Sequence, residues 1–188
     1  MISYTAAVLL AVFSTSLACS PTWPNATDTT PTWFQCNSGP ITFYNATPFD
    51  ENGKYEYPVH LSKPLTIKAD INNPKTTFGS PGLKQTTNIW SWTTTCNWSP
   101  VPTFGMLKNL DACSTPLFRS LDACSNGIPC PIKTGRQELD ILMDFSPYGA
   151  IIALLKDDAP YQLQMILHDD VTKADVGCIT FQARARIQ

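Results

Sequence analysis

Residues 179–187 read "ITFQARARI". Ile179, Phe181, Ala183, Ala185 and Ile187 alternate with Thr180, Gln182, Arg184 and Arg186. A period of two puts each set on its own face of an extended chain, so the stretch predicts a strand with one buried and one wet face. The pattern recurs upstream. Tyr55, Tyr57, Val59 and Leu61 alternate with Glu56, Pro58, His60 and Ser62; Leu65, Ile67, Ala69 and Ile71 alternate with Thr66, Lys68, Asp70 and Asn72. Leu139, Ile141, Met143 and Phe145 form another set, and Tyr161, Leu163, Met165 and Leu167 another. Many such strands between Pro, Gly and Asn turns predict an all-β chain, an antiparallel β-sandwich of immunoglobulin-like kind.

The chain has 188 residues, the length of one domain with room for a real core. Charged residues make up 15% and the net charge is −2, which excludes a basic nucleic-acid-binding surface. Aromatics at 11% and 16 prolines suit a β-rich, loop-rich extracellular domain. The first 27 residues carry no charge, and "AAVLLAVF" (6–13) precedes the small residues of "STSLA". Residues 1–18 read as a secretory signal peptide, although its basic start is missing. The apolar run is too short to span a membrane, which takes roughly 20 residues. A lipoprotein signal ending at Cys19 fits less well, because Ser16 stands where an aliphatic residue is expected. Residues 19–35 form a Pro/Thr-rich lead-in, expected extended and exposed, and 36–188 form the domain.

Seven cysteines follow: Cys19, Cys36, Cys96, Cys113, Cys124, Cys130 and Cys178. With Cys19 set aside at the cleavage site, an even six suits disulfides in an oxidising compartment. Structural zinc wants closely paired cysteines or spaced histidines; here Cys113, Cys124 and Cys130 are too widely spaced, and His60 and His168 lie far off. No C-x-x-C offers a redox pair. Asn25, Asn45 and Asn97 head three sequons, two of them weakened as acceptors by Pro48 and Pro100. Residues 97–130 break the strand pattern and read as an irregular, disulfide-stapled insertion, with helical turns expected in "FGMLKNLDACS" and "PLFRSLDACS".

"PCPIKTG" (129–135), "APYQLQMIL" (159–167) and "DVGCITFQARA" (175–185) resemble the ML lipid-recognition family, and its ganglioside-activator branch in particular. "CSTPLFRSLDAC" (113–124) resembles a loop of that branch, and the likeness covers roughly 36–188. The resemblance implies a β-cup whose sheets enclose an apolar lipid cavity. It implies the bridges Cys36–Cys178, Cys96–Cys130 and Cys113–Cys124; a further bridge of the activator, just before Cys96, has no counterpart here. It implies a non-catalytic protein without metal or cofactor, secreted or lysosomal. Such a protein extracts a glycolipid or other amphipathic lipid through transient membrane contact and presents it to a lysosomal glycosidase. Sterol or immune-lipid recognition is one alternative, and a cavity-less immunoglobulin-like adhesion domain is another.

The candidate lipid contacts are Trp90, Trp92, Phe145, Tyr148, Ile151, Ile152, Leu154 and Leu155. Each has a plainer reading. "YGAIIALLKDDAPY" (148–161) suits a buried strand as well as an apolar loop at a cavity rim. Trp90, Trp92 and Trp98 suit core filling as well as a lipid-facing wall. Lys133 and Arg136 read as solvated turn residues that reach a headgroup only if they stand at the rim. Asp157-Asp158 and Asp169-Asp170 read as turn residues, without the ligand spacing of a calcium site. No G-x-S-x-G elbow is present, and His168 beside Asp169 falls on the polar face of its strand, so no catalysis is expected.

Overall fold

The computed structural model describes residues 22–79, 81–113 and 126–187. The signal peptide, Cys19, Cys124 and the expected second helical turn of the insertion lie outside them. Among the described residues the strands are β1 (Thr32–Gln35), β2 (Thr42–Phe49), β3 (Val59–His60), β4 (Leu65–Asn73), β5 (Leu83–Trp92), β6 (Trp98–Pro100), β7 (Leu110–Asp111), β8 (Asn126–Gly127), β9 (Gly135–Met143), β10 (Ala159–Asp169) and β11 (Ala174–Arg186). One sheet runs β1-β11-β10-β5-β6, with β3 beside β11 and β7 beside β5; the other runs β2-β4-β9-β8. All pairings between these strands are antiparallel except β3 with β11. The expected immunoglobulin-like antiparallel sandwich is what the chain forms.

β4 shows how the sequence makes its element. Leu65, Ile67, Ala69, Ile71 and Asn73 are buried in strict alternation. The opposite face carries a cross-strand charge ladder, in which Lys68 lies 3.5 Å from Glu138 and 3.7 Å from Asp140, and Arg136 grips Asp70 at 2.6 Å. That single periodicity supplies both the core and the wet outer face. Along β10 and β11, Met165, Leu167, Ile179 and Phe181 pack inward in the same way.

The two ends of the sandwich differ. At one end the chain crosses from β1 to β2 over the start of β11. Cys36 is bonded there to Cys178, and the Ile41 amide donates to the Val176 carbonyl at 2.9 Å. Gly39 permits the crossing, since a Cβ there would stand 2.6 Å from the Val176 backbone. Asn73, fully buried, donates through Nδ2 to the carbonyls of Thr76 and Lys133 and ties the same end shut. At the opposite end, residues 144–158 pass from β9 to β10 and residues 55–62 pass along the end of β11.

Several expectations are corrected here. Cys36–Cys178 forms as the resemblance implied, but Cys113 pairs with Cys130, not Cys124, so Cys130 does not pair with Cys96. The reason is strand pairing. The Ala112 amide donates to Leu83 at the start of β5, and Cys113 bridges Ile128, which sets Cys113 beside Cys130 at the closed end. Cys96 sits beyond Trp92 at the other end of β5, roughly 30 Å away for a ten-residue strand. Cys96 is itself disulfide-bonded. Residues 104–113 of "FGMLKNLDACS" are not helical: they form turns and then β7. The segment 55–61 is a strand only at Val59–His60.

The lead-in is not an exposed tail from residue 22 onward. Pro24 and Thr27 are buried, and β1 pairs with β11. Asn25 Nδ2 donates to Gln182 at 2.6 Å, and Arg184 lies over the Trp23 ring at 5.1 Å. Tyr57 donates to the Thr27 carbonyl at 2.5 Å. This strap covers the polar side of β11 at Gln182 and Arg184, which is why Gln182 is buried although the alternation marks it as an outward residue.

Candidate functional site

At the open end the inward faces of the two sheets do not meet. A cleft lies between them, walled on one side by Leu65, Ile67 and Met143 and on the other by Ile89, Tyr161, Leu163, Phe181, Ala183 and Ala185. The 55–62 segment adds Val59 and Leu61, and the 144–158 crossing adds Phe145, Ile151, Ile152 and Leu155. The empty volume is about 620 Å³ counted out to the open mouth, of which about 60 Å³ is room for the centres of water-sized spheres. All fifteen lining residues are hydrophobic. Tyr161 turns its hydroxyl aside, accepting from the Lys156 amide at 2.6 Å and donating to the Lys156 carbonyl at 2.8 Å, so its ring is what the cleft meets. Such a surface can hold hydrocarbon and offers no group for acid–base or nucleophilic chemistry.

The crossing is neither a strand nor an unstructured loop. Residues Ser146–Tyr148 form a 3-10 turn that runs into α1 (Gly149–Ile152). One turn of helix turns successive apolar residues toward different surroundings. Ile151 is 1% exposed, Ile152 and Leu155 are half-buried against the cleft, and Leu154 is 54% exposed. Tyr148 is buried but lies outside the lining. Of the eight expected contacts, Phe145, Ile151, Ile152 and Leu155 therefore line the cleft.

Trp90 and Trp92 do not. The inward residues of β5 are Leu83, Gln85, Thr87 and Ile89, so Trp90 and Trp92 share the outer face with Lys84, Thr86 and Asn88. Trp92 packs edge-on against Trp98 with ring centres 5.0 Å apart. The three tryptophans are thus neither core nor cleft wall. The alternation that begins at Leu83 carries this information, but three clustered indoles point more strongly to burial than to a surface.

Charged candidates are placed as follows. Arg136 binds Asp70 with two hydrogen bonds and lies over the Tyr44 ring, near the closed end, and Lys133 adjoins it. Neither stands at the mouth. The Arg136 guanidinium holds the Asp70 carboxyl below its ordinary range. Asp158, at the open end, is bound by Arg184 at 2.6 and 2.7 Å, and that pairing holds its carboxyl below the ordinary range too. Asp157 accepts from the Ile187 amide at 2.8 Å. These contacts fasten the start of β10 to the end of β11 beside the cleft. His168 lies on the outer face with Nδ1 2.9 Å from Asp175. Asp169 is buried; its burial raises the carboxyl, but hydrogen bonds from Thr172 and Val171 outweigh this and leave it lowered. Among the described residues, no group of three or more His, Cys, Asp or Glu is set to hold a metal ion, and no helix is long and apolar enough to cross a membrane.

The sequon residues Asn45 and Asn97 are exposed, Asn45 at a bulge in β2 and Asn97 at the tip of the β5–β6 hairpin. Asn25 differs, since its side-chain nitrogen is engaged by Gln182 and the Thr27 hydroxyl is buried against the Pro24 carbonyl.

Comparison with solved structures finds a Niemann-Pick type C2 protein from Japanese carpenter ant, 11% identical, with a TM-score of 0.47, covering 82% of this chain and 99% of that one. A likeness of that degree carries no inference about ligand. No family model matches the chain, and no curated protein matches it.

Proposed function

We propose that this protein is a non-enzymatic carrier of an apolar or amphipathic ligand, whose tail enters the open-ended cleft while its polar head stays at the mouth. The observation that carries this is the cleft itself. Sandwich interiors normally close to the density of organic crystals, yet here two inward faces stand apart and leave about 60 Å³ unfilled. An unfilled space of that size costs on the order of 1–2 kcal/mol. A hydrocarbon tail would offset it. Burial contributes about 0.8 kcal/mol per CH2 in either a bilayer or an apolar cleft, so the two compartments nearly balance and exchange stays reversible.

The disulfides support an oxidising destination, secreted or lysosomal. Leu154, exposed beside the mouth, supports a transient membrane contact, and exposed Asn45 and Asn97 are the better placed glycan acceptors. Presentation of a glycolipid to a glycosidase is the finer form of the proposal. It rests on the resemblance of 129–135, 159–167 and 175–185, and the Cys113–Cys130 bridge departs from that resemblance. We therefore put the carrier role ahead of the activator role; sterol recognition is the same reading with a more rigid ligand.

Filling the cleft is the test. Ala183→Phe places a ring in the space lined by Ala183 and Ala185. We expect it to abolish uptake of a fluorescent acyl lipid from vesicles while the melting temperature holds. Uptake equal to the unmodified protein's, with the fold intact, would exclude the cleft as the ligand site.

A further inference from the structure

The inner face of β5 changes character below the cleft. Ile89 lines the cleft wall, but the next two inward residues toward the closed end are Thr87 and Gln85, both buried, with Gln85 only 4% exposed. Gln85 Nε2 donates to Thr87 Oγ1 at 3.1 Å, and Gln85 Oε1 is buried with no hydrogen-bond partner. Turning the amide over would let Thr87 donate to Oε1 and would leave Nε2 open instead. In either orientation one hydrogen-bonding group is unanswered inside an apolar sandwich, a situation that native interiors avoid because each such group is costly. On the neighbouring strand β10, Met165 pairs with Thr87 in register and Leu163 with Ile89. Leu163 lines the cleft and Met165 does not. Met165, an unbranched side chain that repacks readily, therefore stands beside Thr87 one step past the last lining residues of this sheet.

We propose that Gln85 and Thr87 form a polar floor to the cleft, reached when a ligand displaces Met165, and that the ligand carries a hydroxyl at the deep end of its hydrocarbon body. A hydroxyl both donates and accepts, so it satisfies the open end of the Gln85 amide in either orientation. The ligand class is accordingly an amphiphile with a second, buried oxygen function, distinct from the head that stays at the mouth. This rests on the carrier reading above and adds to it which apolar ligand the cleft selects.

The probes are dodecanoic and hexadecanoic acids, each beside its ω-hydroxylated form, titrated against the secreted protein by calorimetry. In the unmodified protein the hydroxylated acid of the fitting length is expected to bind at least as tightly as the plain one, whereas a wholly apolar wall would hold it more weakly. Gln85→Met should weaken the hydroxylated acid about tenfold or more and leave the plain acid equal or tighter; Thr87→Val should shift the same ratio in the same direction. Without ligand, Gln85→Met should melt at or above the unmodified protein, because it removes an unanswered buried amide. A ratio unchanged by both substitutions, or a lower melting temperature with an unchanged ratio, would make the pair merely structural and overturn the inference while the carrier reading stands. Binding of none of the four acids to the unmodified protein would overturn both.

Discussion

Ile151 and Leu154 are three residues apart on one short helical crossing and meet different surroundings. Ile151 is 1% exposed and walls the cleft, while Leu154 is 54% exposed. Ile151→Ala should cost about 2–5 kcal/mol, because it removes packed methyl groups and enlarges a void. Leu154→Ser should change stability by no more than about 0.5 kcal/mol, and urea unfolding of the two variants makes the comparison. Asp158 offers a residue-scale test with a sign. Its carboxyl is lowered by the Arg184 guanidinium. A lowered folded pKa contributes stability that is present above the ordinary carboxylate value of about 4 and is lost as pH falls through the folded value. The seam between β10 and β11 should therefore hold at about pH 5 and fail only in stronger acid. Asp158→Asn should lower the melting temperature equally at neutral and mildly acidic pH, with the difference closing only as the pH falls through the lowered folded value. A difference that closes already near pH 5 would show that Asp158 loses its charge there.

Alternation made four of the long strands legible, since β4, β9, β10 and β11 follow the period-two sets of the sequence. β2 is less plain because its register shifts between Phe43 and Asn45. β7 is two residues held on the β5 edge, a long-range pairing that local pattern does not encode. That same edge decides Cys113–Cys130 and explains why the pairing implied by the resemblance does not form there. Non-reducing peptide mapping should recover Cys113 joined to Cys130, and recovery of Cys113 joined to Cys124 would contradict the β7 placement. Replacing both Cys113 and Cys130 by serine opens a closure of sequence separation 17 and should cost about 3 kcal/mol in the chain-entropy view. The lead-in was misread for a related reason. Its burial comes from Asn25, Trp23 and Thr27 meeting Gln182, Arg184 and Tyr57, polar and aromatic contacts with segments 30 residues away for Tyr57 and 157 for Gln182.

At the scale of the molecule, the fold class was legible and the cleft was not. Val59, Leu65, Ile67, Leu163 and Phe181 read as inward strand residues. Nothing in their spacing separates a wall that faces empty space from one that faces a neighbour. The distinction arises because Cys36–Cys178, Gly39 and Asn73 close one end, while a single helical turn and a two-residue strand bound the other. Cys36–Cys178 spans a sequence separation of 142, and its removal should cost about 5 kcal/mol in the chain-entropy view, loosening the closed end on which the open end depends. The central claim is that the cleft carries a hydrocarbon ligand, and native mass spectrometry of the secreted protein, before and after incubation with lipid vesicles, tests it most directly. A discrete adduct of lipid mass, one per chain, removed by organic extraction and blocked by Ala183→Phe, is the predicted result; an unliganded mass under both conditions would contradict it.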